Sequence, residues 1–229
     1  MCGRYAQTSP ALLLENIFSA DIDNKYNRED YEPSWNVSPG DNVPAIVEFD
    51  KRVLSRFRWG LIPGWVKKTS TLKPPINARA ETLSSKPYFK SAFRRRRCLI
   101  PADGFYEWET LQVPGSSRPI KLPWYFKSQE NRVLSFAGLY EIFKPQGSGI
   151  DLFTCTIITC EANSVLSPIH DRMPVIVDRS CWDIWLRPDK ELSENETKEI
   201  LRPAETSLLE KIAVTKMASK HSKPVFELK

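Results

Sequence analysis

Leu13, Leu14, Ile17 and Phe18 recur at helical spacing directly after Ser9 and Pro10. That is one apolar face of a helix, and a serine cap with proline at the first helical position predicts where it begins. A free, extended head of about eight residues precedes it. Between Pro33 and Pro123 prolines return at short intervals, which excludes long helices and punctuates short apolar runs. β-Branched and aromatic residues at 45–49, 53–59, 98–100, 105–109, 124–127, 133–139 and 153–159 predict strands, spaced closely enough for largely antiparallel pairing. Short helices fit 87–93, 180–186 and 193–201, the last opened by a Ser193/Glu196 capping box and closed before Pro203. In the strand at 105–109, two-residue alternation puts Phe105, Glu107 and Glu109 on one face and Tyr106 and Trp108 on the other. Glu107 then either lines a cavity with raised proton affinity or lies on solvated surface, and the alternation alone leans slightly to the surface.

Composition narrows the class. The 229 residues are 41% hydrophobic and 27% charged, with no compositional break, as expected for a single globular domain over 1–229. No apolar run nears the roughly 18 to 20 residues of a membrane span, and the first residues lack signal-peptide order, so a soluble chain starting at its own Met1 is expected. Lys and Arg total 33 against 28 Asp and Glu, a net +5 that separates a nucleic-acid binder from a basic enzyme only weakly. Five cysteines, an odd number without an export signal, predict reduced thiols rather than a disulfide framework. No Walker loop, GxGxxG, GxSxG, HExxH or CxxC occurs, so nucleotide, flavin, serine-hydrolase and zinc chemistry lack their usual warrant, and no cofactor is expected.

The chain's start carries the most unusual chemistry. A small residue at position 2 permits removal of Met1, leaving Cys2 with both a free amine and a thiol, each of ordinary proton affinity near neutral pH. Such a pair condenses with an aldehyde to an imine and then closes a five-membered thiazolidine, the second step being effectively unimolecular. Of two histidines, His221 lies in a basic tail and reads as solvated, whereas His170 lies in a proline-bounded loop after an apolar strand. Asn77 and Arg79 stand two apart behind Pro74-Pro75, and Arg4, Arg79 and Arg172 together suit a phosphate. Trp35, Trp59, Trp65 and Trp108 are candidates to stack on bases, and the arginine run 94–97 is either a solvated face or an extension of a polyanion track.

Six blocks in order carry a family resemblance: MCGR at the start, RWGLIPGW at 58–65, INARAET at 76–82, RRRCLIPADGFYEW at 95–108, FAGLYE at 136–141 and IHDRMP at 169–174. From residue 2 to about residue 186 the chain closely resembles the SOS-response-associated peptidase (SRAP) family, abasic-site shields of single-stranded DNA. The resemblance implies an α+β fold: one compact domain with mainly antiparallel sheets around a central site and a few flanking short helices. It implies Cys2, Asn77, Glu107 and His170 as catalytic residues. Cys2 would capture the abasic aldehyde, Asn77 position the head or sugar, Glu107 shuttle protons, and His170 assist at a sugar hydroxyl or phosphate. DNA-binding residues on this reading are Arg4, Arg79, Arg172, Trp108, Thr159 and Pro39. The partner is single-stranded DNA bearing abasic sites, with no membrane and no metal. A monomer is expected, in the nucleoid-bearing cytoplasm of a bacterium or the nucleus of a eukaryote. A thiol peptidase using the same Cys2, or a plain single-strand-binding module, are the competing classes.

Overall fold

The protein is described by a computed structural model at residues 2–67, 73–112, 114–115, 118–145, 147, 149–188 and 190–227; Met1 lies outside these. The first strands are β1 (Arg4–Gln7), β2 (Asp21–Ile22), β3 (Ser34–Val37), β4 (Asn42–Glu48), β5 (Arg52–Trp59), β6 (Asn77–Arg79) and β7 (Arg97–Ala102). They are followed by β8 (Gly104–Leu111), β9 (Ile120–Ser128), β10 (Leu134–Phe143), β11 (Leu152–Glu161), β12 (Arg172–Pro174), β13 (Leu209–Lys216) and β14 (Val225–Phe226). Helices are short: α1 (Ala11–Phe18), α2 (Pro87–Arg95), α3 (Trp182–Leu186) and α4 (Glu194–Ile200).

Six strands form one sheet in the order β14-β13-β9-β8-β1-β3. A second sheet of eight runs β12-β11-β10-β7-β4-β5-β2, with β6 attached to β11. Because β11 also pairs with β5, strands β5, β4, β7, β10 and β11 close into a ring. The α+β class and mainly antiparallel pairing follow expectation. Three contacts differ: β11 runs parallel to β5 and β6, and β2 parallel to β5. The largest buried side chains, among them Trp59, Phe57, Phe136, Phe105, Phe126 and Trp185, fill the main core. β10 is buried along almost its whole length, and Gly138 within it is required. A Cβ there would lie 2.7 Å from Cys98 Sγ and 2.9 Å from Ile100 Cδ1.

The chain's head is not free. β1 is an interior strand between β8 and β3. Tyr5 enters the main core, its ring 5.4 Å from that of Trp59 and 5.9 Å from that of Phe136, while Ala6 joins a smaller cluster with Tyr106, Tyr125 and Val214. A strand buried on both sides needs tertiary partners, which local spacing does not reveal. The first helix also starts later than its sequence signal, with extended Pro10 preceding Ala11 and no side-chain cap. Ser9 instead gives its hydroxyl proton to Asp103 Oδ1 at 2.6 Å. The Asp103 carboxylate also accepts the Thr8 and Ser9 amides, and its own amide donates to Ala6 O at 2.8 Å. The turn between β7 and β8 thereby clamps the head.

Arg97 departs from the expected solvated run. It is 2% exposed and donates to five main-chain carbonyls: Phe93, Arg94, Trp185, Arg187 and Lys190, at 2.5 to 3.0 Å. It joins the end of α2 to the segment after α3, and burial pulls its proton affinity down to about 10. Arg94 and Arg96 are engaged in turn by Glu191 and Glu141. The α4 capping box is as expected, Ser193 and Glu196 exchanging both hydrogen bonds.

Candidate functional site

Three chain segments bring the expected catalytic residues together. β1 aligns with β8 so that Arg4 faces Tyr106 and Tyr5 faces Phe105. Continuing that register carries Gly3 and Cys2 alongside Glu107 and Trp108. β6 lies parallel on β11, with Asn77 opposite Ile157 and Arg79 opposite Thr159. From there the Asn77 side-chain amide donates to the Cys2 carbonyl at 2.9 Å. The loop before β12 supplies His170.

Cys2 is fully buried, and its thiol makes a long, weak contact of 4.0 Å to the Arg4 carbonyl. Burial, then the Glu107 carboxylate, pushes the thiol's proton affinity well up. The ordinary thiol reactivity expected from the sequence is therefore not what the fold provides, since a desolvated thiol keeps its proton until a base takes it. Glu107 is the carboxylate whose charge acts on that thiol. It is 3% exposed, which settles its placement in favour of the buried face. Burial raises its carboxyl from 4.5 to about 7, against the lowering pull of the amino-terminal charge. At neutral pH such a group holds both its forms in quantity, as a proton donor and acceptor requires.

His170 is half-buried, and its Nδ1 accepts the Arg172 main-chain amide at 2.9 Å. Burial and the amino-terminal charge lower its proton affinity, outweighing the adjacent Asp171. The neutral ring is thereby favoured near neutral pH, with Asp171 Oδ1 3.0 Å from the same Nδ1.

The expected strand-binding residues divide. Arg79 and Pro39 are exposed. Arg4 is half-buried and donates to Asn36 Oδ1 at 3.0 Å. Arg172 is 9% exposed and forms a two-pronged ion pair with Glu81 at 2.8 and 2.9 Å, plus a bond to Thr159 O at 2.6 Å. Its guanidinium is already committed to a protein carboxylate. Thr159 is wholly buried between β6 and β12, and its hydroxyl makes no hydrogen bond. Trp108 points away from Glu107 and packs in the smaller cluster with Trp35, Met217 and Phe226. Trp59 is a core residue, 1% exposed with its indole N–H on Ile76 O, whereas Trp65 is 64% exposed. Sequence reasoning missed Glu81, Asp103 and Asn36, although Glu81 and Asp103 lie inside the quoted motifs. Among the described residues no three His, Cys, Asp or Glu side chains converge as a metal set.

The SOS response associated peptidase (SRAP) family matches residues 1–221. The chain belongs to the SRAP family. The match reaches beyond the quoted motifs to include β13 and the segment after it. An abasic site processing protein of Bacillus subtilis, YoaM, is 38% identical over 220 residues, covering 96% of this chain and 93% of the relative. Its namesake HMCES of Gallus gallus is 31% identical, covering 90% of this chain and 70% of its own. A solved protein structure from Bacteroides thetaiotaomicron superposes with a TM-score of 0.81 at 26% identity, covering 93% and 92% of the two chains.

Proposed function

We propose that this SRAP protein processes abasic sites by binding single-stranded DNA and capturing the lesion covalently through Cys2. Once Met1 is hydrolysed away, the Cys2 amine adds to the open-chain aldehyde of the abasic sugar and water leaves, giving an imine. The thiol then adds across the C=N bond, sulfur to carbon and its proton to nitrogen, and a thiazolidine closes. Atoms balance with the loss of one water, and no oxidant or reductant takes part. Glu107 gives a proton to the departing hydroxyl and, ionised, receives one from the buried thiol. Asn77 holds the Cys2 carbonyl while the amine attacks, and His170, neutral and half-buried, is placed to serve a sugar hydroxyl. Exposed Arg79 and Pro39 engage the strand's backbone and bases.

The observation that carries this reading is the Asn77 bond to the Cys2 carbonyl at 2.9 Å, beside a carboxyl raised to about 7. The relatives' names, abasic site processing proteins, support the same lesion as substrate. Intact-mass spectrometry after incubation with an abasic single-stranded oligonucleotide tests it. The expected adduct weighs the protein without Met1 plus the oligonucleotide minus one water, and Cys2→Ser abolishes the stable species. No adduct, or an equally stable one with serine, overturns the proposal.

A further inference from the structure

The segment between β13 and β14 leaves one edge of the six-stranded sheet and docks on β3 at the opposite edge. On the way Met217 packs in the small cluster with Trp35 and Trp108. Two of its contacts lead to the face where the strand is proposed to bind.

The first runs through Asn36. Its side-chain N–H donates to the Ala218 carbonyl at 2.8 Å, and its Oδ1 accepts from the Arg4 guanidinium at 3.0 Å. The adjacent Trp35 amide donates to Lys220 O at 3.1 Å, fixing the register of this docking. Arg4 is thus held by an amide whose own orientation the segment sets, because an amide that gives its N–H₂ to Ala218 must turn its oxygen elsewhere. The second contact runs through Asp41. Lys220 Nζ donates to Asp41 Oδ1 at 2.8 Å, while Asp41 Oδ2 accepts the Ser38 amide at 2.9 Å. The Gly40 amide bonds Trp59 O and the Trp59 amide bonds Asp41 O, closing a tight loop that presents exposed Pro39.

From these contacts, and resting on the proposed function, we infer that the strap formed by residues 217–223 is a positioning element for the DNA-binding face, with Asn36 and Lys220 as its positioning residues. Asn36 orients Arg4, and Lys220 holds the Pro39 loop through Asp41. Neither need touch DNA. A cation held by a carboxylate raises a rival explanation, that Lys220 binds phosphate directly. Asp41 separates the two: freeing Lys220 by removing the carboxylate strengthens direct phosphate binding but loosens the loop.

The experiment measures single-turnover crosslinking against concentration of an abasic single-stranded oligonucleotide, giving a half-saturation point and a limiting rate. The full-length variants are Asn36→Ala, Lys220→Ala, Lys220→Arg, Asp41→Asn and the Lys220→Ala/Asp41→Asn double, each checked for an unchanged thermal unfolding profile. Half-saturation is expected to rise about two- to tenfold in Asn36→Ala, Lys220→Ala and Asp41→Asn, the scale of one lost hydrogen bond. The limiting rate stays at the wild-type value, Lys220→Arg restores binding, and the double variant is no worse than either single one. Tighter binding by Asp41→Asn, additive losses in the double variant, or wild-type half-saturation throughout overturns the inference. Failure of the wild-type protein to crosslink at all would overturn the proposed function instead. Binding of the same variants to an intact single strand then still reads the strap.

Discussion

The side-chain amide of Asn77 and the main-chain carbonyl of Cys2 meet at 2.9 Å, joining a three-residue strand from mid-chain to the chain's head. The bond is directional: only a donor at position 77 serves it. Asn77→Ala is expected to slow adduct formation by about tenfold, and Asn77→Asp by more, because a carboxylate there repels the carbonyl it replaces a donor to. Single-turnover rates on one abasic oligonucleotide decide the order. A wild-type rate for Asn77→Ala would show that the donor is unimportant.

Glu107 gives a pH dependence of known sign. Its carboxyl rises from 4.5 to about 7 in the fold, so between these values the native state holds a proton that the unfolded chain has released. Stability from this group is full below about pH 4.5 and falls as pH climbs toward 7. Glu107→Gln removes that slope and is expected to unfold at higher urea than wild type at pH 8, with the gap shrinking at pH 5. It also slows crosslinking by about 10²-fold, the usual scale for a general acid/base group. A urea-midpoint series across pH with a parallel slope in both proteins would refute this.

Arg79 and Arg172, alike in sequence, should behave differently. Exposed Arg79 is expected to act through charge, so Arg79→Ala flattens the salt dependence of single-strand affinity by roughly 0.7 in log–log slope. Arg172 is tied to Glu81 and Thr159 O, so Arg172→Ala is expected to cost about 1–3 kcal/mol of stability with little change in slope. Salt titrations and denaturant unfolding of both variants suffice. A slope change as large for Arg172→Ala as for Arg79→Ala would show that the Glu81 pair opens to DNA.

Arg97 offers a test of the fold alone. Removing a guanidinium that satisfies five carbonyls strands them in a buried place, and Arg97→Met is expected to destabilise by about 3 kcal/mol or more. Arg95→Met, on an exposed residue of the same run, should be near neutral. Comparable unfolding midpoints for the two would contradict the role described for Arg97.

Local signals in the chain were strong where one residue's chemistry decides the outcome. Proline spacing kept the helices short, the Ser193/Glu196 box opened α4, and β-branched and aromatic runs marked β4, β5, β10 and β11. The motifs around Cys2, Asn77, Glu107 and His170 singled out those residues as candidates and carried the family, which the match over residues 1–221 shows. Tertiary structure decided what those residues experience. β1 has too few residues to announce itself, and it becomes a strand because Tyr5 and Ala6 find buried partners on opposite faces. Alternation could say that Glu107 and Phe105 share a face, but not that the face is dry, because burial is set by what packs on it from elsewhere in the chain. The same holds for Arg97 and Arg172, whose charge the sequence shows and whose partners lie up to 93 residues away. The C-terminal strap is the extreme case: its bond to Asn36 spans 182 residues, and no local pattern encodes a contact made only when two sheet edges are brought face to face.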